Sequence, residues 1–253
     1  MVRITNPGQM TIITKLRHYP LITICVALYL IIAAIPFVVG SSLVSHYSIE
    51  SLFWLNGYLS DVMRRPWSPI TYMWLHNSVL HLVVNMLILY GFGKVFLSYF
   101  TERQLIKVFI LGGLVGGMLY PLVFEAMNSL GLHPFPLPLL GSSGAVMSIA
   151  MAISCYAPHH TLMPIGRWCF STLTLGILLI VLSFYPLLVG NTGGVITHLG
   201  GAATGVIWGI AMKQKHIRKA LTENSVRRKE SEEKARRSGY KALSKEERSR
   251  LWQ

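Results

Sequence analysis

A chain of 253 residues that is 52% hydrophobic and only 13% charged is too apolar for a soluble domain, and reads as a multi-pass membrane protein. Its net charge of +13 would suit a nucleic-acid partner, but the placement of that charge argues against one. Of the 23 Lys and Arg, 14 fall between Lys213 and Gln253 among 6 acids, and the other 9 sit mostly beside apolar runs. Cys25, Cys155 and Cys169 are odd in number and lie in apolar stretches, so they form no disulfide framework or metal-ligand spacing and are expected to be small core residues.

Six stretches approach the ~20 apolar residues that a bilayer core requires: about 20–40, 79–98, 104–127, 141–158, 167–189 and 193–212. The first is too long for a signal peptide and lacks a small-residue cleavage site, so it is expected to be retained as a helix. The chain divides into an N-terminal segment 1–19, a membrane domain 20–212 and a mixed-charge tail 213–253. Arg3, Lys15 and Arg17 precede the first span. Lys94, Arg103 and Lys107 surround the connection from the second to the third, and Arg167 lies between the fourth and fifth. The loops after the third and fifth spans carry no Lys or Arg, so the positive-inside rule places both termini in the cytoplasm. Arg64-Arg65, in the long loop after the first span, is the exception.

That loop, residues 41–78, carries Trp54, Tyr58, Trp67, Tyr72 and Trp74 among many aliphatics. Short helices lying in the outer membrane interface are expected there. Residues 129–140 hold Pro134, Pro136 and Pro138 and are expected to be non-helical, delivering the chain to Gly141. The tail, mixed in sign from Lys229 to Arg250, is expected to be partly helical.

Three short patterns then converge. His81-x-x-x-Asn85 opens the second span, Gly141-Ser142-Ser143-Gly144 the fourth, and His198-x-x-Gly201-x-x-x-Gly205 the sixth. These spans run in the same direction, so the polar groups share one end of the bundle, with His198 roughly 8 Å into its span. Polar side chains at bilayer depth usually face a cavity and mark function. His81 and Asn85, four apart, share a helix face. Gly201, Gly205 and Gly209 form a small ridge that matches Gly144 and Ser148 and allows close helix approach, bringing the Ser143 hydroxyl toward His198. A serine hydroxyl needs a base, and His198 is the candidate. An oxyanion needs donors, and the Ser143 N–H, the Asn85 amide and the His81 ring qualify. No acid accompanies them: Asp61 lies in the first loop and Glu125 far along the third span. The constellation is therefore a Ser–His dyad, with neither cofactor nor metal. His-Glu-x-x-His is absent from the sequence. Ser142 and His76 are expected to be structural, and Gly112-Gly113 and Gly116-Gly117 to serve packing.

In order and spacing these motifs resemble the rhomboid intramembrane serine proteases, over about residues 20–212. The resemblance implies an all-α membrane protein, a six-helix rhomboid-like bundle with an interfacial helical first loop. It implies Ser143 as nucleophile, His198 as base and then acid, and His81 and Asn85 as oxyanion donors, with Gly141, Gly144, Gly201 and Gly205 structural beside them. It further implies a cavity open to the outside, single-pass membrane proteins as substrates in a bacterial inner membrane, and loop 187–195, with Gly190, Gly193 and Gly194, as a flexible cap. Two positions depart from the pattern. Trp67 is followed by Ser68 rather than arginine, and Met147 stands where many members carry a tyrosine that stacks on the histidine. Two rival readings remain. One is a non-catalytic rhomboid-like protein that binds membrane clients, which typically lacks the serine–histidine pair. The other is a transporter, against which stand the absence of acids from the middle of the spans and of an inverted repeat.

Overall fold

The computed structural model describes residues 20–39, 49–132, 136–165, 168–238 and 240–251. The expectations for segment 1–19 and for Pro134 and Arg167 lie outside these residues. Divided by compactness, the chain gives one unit ending at Gly209 and a second from Ile210 onward.

The first unit is a helical membrane bundle. Helix α1 (Pro20–Val39) begins on a proline, which is tolerated in a first turn because that turn's N–H groups have no intrahelical partner. The expected interfacial segment contains two short helices, α2 (Leu59–Arg64) and α3 (Ser68–Thr71), flanked by 3-10 turns at Ile49–Leu52 and Tyr72–Trp74. Its apolar residues divide sharply: Leu55, Tyr72 and Met73 are fully buried, while Met63 is 79% exposed. Trp67 donates through Nε1 to the Leu52 carbonyl at 2.8 Å, and Thr71 through Oγ1 to Phe53 at 2.8 Å. Arg65, part of the charge exception, pairs with Asp61 at 3.9 Å and donates to the Ser51 carbonyl. Ser68, in place of the family's arginine, is buried.

Helices α4 (Val79–Leu97) and α5 (Glu102–Ser129) match the second and third expected spans, and both are long and apolar enough to cross a membrane. Ser78 caps α4 by accepting from the His81 N–H at 3.2 Å, and Thr101 caps α5 in a capping box with Gln104. Helix α6 (Ser143–Tyr156) has 14 residues, about 21 Å of rise, well short of the ~30 Å hydrocarbon core. Gly144 to Ser154 are buried throughout, so protein rather than lipid surrounds the helix, and its start can lie at depth.

The fifth expected span is corrected. In an antiparallel hairpin, β1 (Thr161–Ile165) precedes it and β2 (Trp168–Ser171) takes its first residues. Helix α7 then covers Thr172–Leu182 and gives way to a 3-10 turn at Tyr185–Val189, where Pro186 lacks the N–H a helix would need. Loop 187–195 is likewise corrected. Only Gly190, in the left-handed region at φ 73°, is a loop glycine, because helix α8 (Thr192–Ser238) already contains Gly193 and Gly194. Asn191 Oδ1 accepts from the Gly194 N–H at 2.8 Å, and Gly193 packs on the Tyr120 ring. Of the cysteines, Cys25 is buried as expected, but Cys155 is only half-buried and Cys169, on β2, is exposed.

The bundle closes through small residues. A Cβ at Gly201 would collide with the Gly144 carbonyl, one at Gly205 with the Ser148 carbonyl, and one at Gly209 with the Ala152 carbonyl. Helix α8 therefore runs backbone against backbone along α6 in steps of four residues. From α5, Gly112 admits Ser148, Gly113 admits Met73, Gly116 admits the Thr197 carbonyl and Gly117 admits Tyr72, which gives these glycines the expected packing role. Ser148 Oγ joins two helices, lying 2.9 Å from the Val108 carbonyl and 2.7 Å from that of Ala145.

The second unit continues α8 to Ser238, so the tail is more helical than expected. A turn at Tyr240–Ala242 leads to helix α9 (Lys245–Arg250), which folds back on α8. Leu243 is buried there, Lys234 Nζ meets Glu247 Oε1 at 2.8 Å, and the Arg248 guanidinium lies 5.3 Å over the Tyr240 ring.

Candidate active site

The turn before α6 is built for close approach. Gly141 sits at φ 125°, a conformation that side-chain-bearing residues rarely adopt, and its N–H donates to the Tyr72 carbonyl at 3.0 Å. A Cβ there would stand 2.7 Å from Cε1 of His81, so the imidazole lies over the bare glycine. Two residues later the chain enters α6, and Ser143 occupies its first position. Gly144, the next residue, makes room for Thr197 of α8, with 2.8 Å between a notional Cβ and Thr197 Cγ2. Because Gly201 meets Gly144 backbone to backbone, His198, one turn earlier on α8, arrives beside Ser143. Its Nε2 lies 2.8 Å from Ser143 Oγ.

His198 Nδ1 is buried and makes no hydrogen bond to any described residue. Among the described residues, no carboxylate bonds the imidazole at that nitrogen.

Helix α4 supplies the opposite wall. Asn85 is 4% exposed, and its Nδ2 donates at 3.1 Å to the His81 carbonyl one turn back, which leaves its second amide hydrogen uncommitted in that bond. His81 Nδ1 faces Asn77 Oδ1 at 2.9 Å. With the amide oxygen toward it, Nδ1 carries the proton and the neutral ring keeps a lone pair at Nε2. Turning the amide over presents its NH2 instead and leaves Nε2–H as a donor.

Ser143, His198, His81 and Asn85 line one cavity of about 420 Å³, whose other walls are mostly aliphatic. Met147, in place of the family's tyrosine, faces it one turn below Ser143. Ser183, Tyr185 and Pro186 also line it, and sequence reasoning passed over all three because hydropathy had merged them into a fifth span. It also missed Asn77, although Asn77 and His81 have the same four-residue spacing as His81 and Asn85. Gly205 lies deeper and serves the helix contact. Among the described residues, no group of three or more His, Cys, Asp or Glu is placed to hold a metal.

The rhomboid domain family profile matches residues 63–215. The presenilin-associated rhomboid-like protein A, mitochondrial, of Danio rerio is 29% identical over 136 residues, 52% of this chain and 33% of that protein. The RHOMBOID-like protein 12, mitochondrial, of Arabidopsis thaliana is 31% identical over 148 residues, 54% of this chain and 44% of its own length. The presenilin-associated rhomboid-like protein, mitochondrial, of Mus musculus is 26% identical over 140 residues, 52% of this chain and 34% of its own. The chain thus covers less than half the length of each of these relatives. With a family match over more than half of its residues, running from the end of α2 into α8, this chain belongs to the rhomboid family.

Proposed function

We propose that this protein is an intramembrane serine endopeptidase that cleaves transmembrane protein substrates through a Ser143–His198 dyad. The observation that carries the reading is the 2.8 Å approach of His198 Nε2 to Ser143 Oγ inside a cavity of a membrane bundle. Ser143 Oγ attacks the scissile carbonyl carbon while its proton passes to His198 Nε2. The carbonyl oxygen becomes an oxyanion facing the first-turn N–H of Ser143 and the Asn85 amide, and also His81 Nε2–H once the Asn77 amide presents its NH2 to Nδ1. First-turn N–H groups have no intrahelical acceptor, so the Ser143 donor is free for this role. When the C–N bond breaks, His198 returns the proton to the leaving amine. Water, deprotonated by the same imidazole, then attacks the acyl ester, releases the new carboxyl end and restores the Ser143 hydroxyl.

The loop charges support both termini on the cytoplasmic side, which puts the dyad toward the outer face. The relatives are mitochondrial by name, so fractionation rather than kinship decides the compartment.

The test is cleavage of a single-pass membrane substrate in liposomes by the wild type, Ser143→Ala and His198→Ala. Both variants are expected to remain folded and to lose at least about 10³-fold in rate. A fluorophosphonate probe is expected to label the wild type at Ser143 and to leave Ser143→Ala unlabelled. Cleavage that survives Ser143→Ala removes the dyad from the mechanism. A wild type that neither cuts nor labels favours a client-binding protein instead.

A further inference from the structure

Ser142 stands at the N-cap of α6, a position where serine ordinarily accepts a hydrogen bond from an amide of the first turn. Here it makes no such bond. The residue is completely buried, and its Oγ turns instead to His76, 3.2 Å from Nε2. His76 is itself buried, at 8% exposure, and its ring stands edge-on to His81 with centroids 5.2 Å apart. The imidazole of His81 in turn covers Gly141. The segment carrying His76 is also joined to this turn through the backbone, by the Gly141 N–H to the Tyr72 carbonyl. Two links therefore fasten residues 72–76 to 141–142, and the residue that follows is Ser143.

From this geometry we infer that the His76–Ser142 pair is a positioning device for the oxyanion side of the site. It acts in two ways. By bonding the Ser142 hydroxyl, His76 anchors the turn that leads into α6 and so fixes the direction of the Ser143 N–H that follows it. By abutting His81, the same ring fixes the tilt of a second donor. Neither His76 nor Ser142 touches the reacting atoms. The site is thus two consecutive serines, each met by Nε2 of a histidine from a different direction, with Ser143 paired for chemistry and Ser142 paired for alignment.

This inference rests on the protease reading, and the experiment separates the two. Full-length wild type, Ser143→Ala, Ser142→Ala, His76→Ala, His76→Gln and the double variant His76→Ala/Ser142→Ala are compared on a single-pass substrate in liposomes. Thermal unfolding and the rate of fluorophosphonate labelling are followed alongside. Ser142→Ala and His76→Ala are each expected to lower kcat about tenfold, because small misplacements of transition-state donors are costly, while KM moves by less than about twofold. The double variant is expected to be no slower than the slower single variant, since both remove one contact. His76→Gln, which returns a side-chain N–H near the position of Nε2, is expected to recover most of the rate. Wild-type kcat in both Ser142→Ala and His76→Ala, or losses that multiply in the double variant, overturns the inference. Activity that persists in Ser143→Ala overturns the protease reading itself. Should His76→Ala unfold, Ser142→Ala and His76→Gln decide between these outcomes.

Discussion

In the proposed mechanism Asn85 serves both helix and chemistry. Its amide back-bonds to the His81 carbonyl, which fixes the side chain along α4, and it borders the cavity. A donor held in this way pays no reorganisation cost when charge develops nearby. Asn85→Ala is therefore expected to lower kcat by about 10²-fold with KM little changed, as measured by steady-state cleavage in detergent. An equal loss in binding of an uncleaved substrate would show that Asn85 holds the ground state instead. The four-residue spacing of His81 and Asn85 made their shared face legible from sequence, and the spacing of His198 and the glycines made the approach to α6 legible. The pairing of His76 with Ser142 was not legible, because it joins residues 66 apart through a turn whose shape depends on the positive φ of Gly141. Asn77 escaped for a different reason. It precedes the cap of α4 and carries no membrane-depth signature.

At the scale of elements, hydropathy located α1, α4, α5 and α6 to within a few residues, since a buried helix and a lipid-facing helix both register as apolar. It misjudged the fifth span because β1, β2, α7 and the Tyr185–Val189 turn are all apolar, and an average cannot distinguish a strand from a helix. Pro164 and Gly166 were the punctuation available there. The contact of α6 with α8 offers a paired test. A Leu side chain at Gly205 has nowhere to go but into the Ser148 carbonyl, so Gly205→Leu is expected to destabilise the fold by about 1–3 kcal/mol and to lower the unfolding temperature in detergent. Activity falls with it, because the same contact sets the Ser143–His198 distance. At Gly91 of α4, a Cβ would meet Leu162 Cδ2 at 3.5 Å, an ordinary contact. Gly91→Ala is expected to be neutral, or to stabilise by about 0.5–1 kcal/mol through lower backbone entropy in the unfolded chain. Equal unfolding temperatures for the two variants would refute this account of the helix contact.

For the molecule as a whole, charge makes the strongest statements. A single cysteine introduced at Arg250 is expected to react with a membrane-impermeant maleimide only after the membrane is opened, while one at Leu132 reacts in intact cells. The reverse pattern would invert the topology and place the dyad toward the cytoplasm. The second compact unit carries its own pH signature. Glu247 accepts from Lys234, and with Ser244 it forms a capping box at the start of α9. The Lys234 ammonium, followed by the backbone and hydroxyl bonds of Ser244, holds its carboxyl down at about 2 against an ordinary 4.5. A carboxyl depressed in the folded state stabilises that state above its unfolded value, and the contribution is lost as pH falls through the folded one. The fold-back of α9 on α8 is therefore expected to hold at neutral pH and to loosen between pH 4.5 and about 2. Carboxyl-carbon NMR of Glu247 and amide shifts from Leu243 to Arg250, recorded on the full chain in detergent, follow both events. In Glu247→Gln the acid step in the amide shifts should vanish, and the fold-back should already be weakened at neutral pH. An unchanged acid transition in that variant would overturn this account of the fold-back.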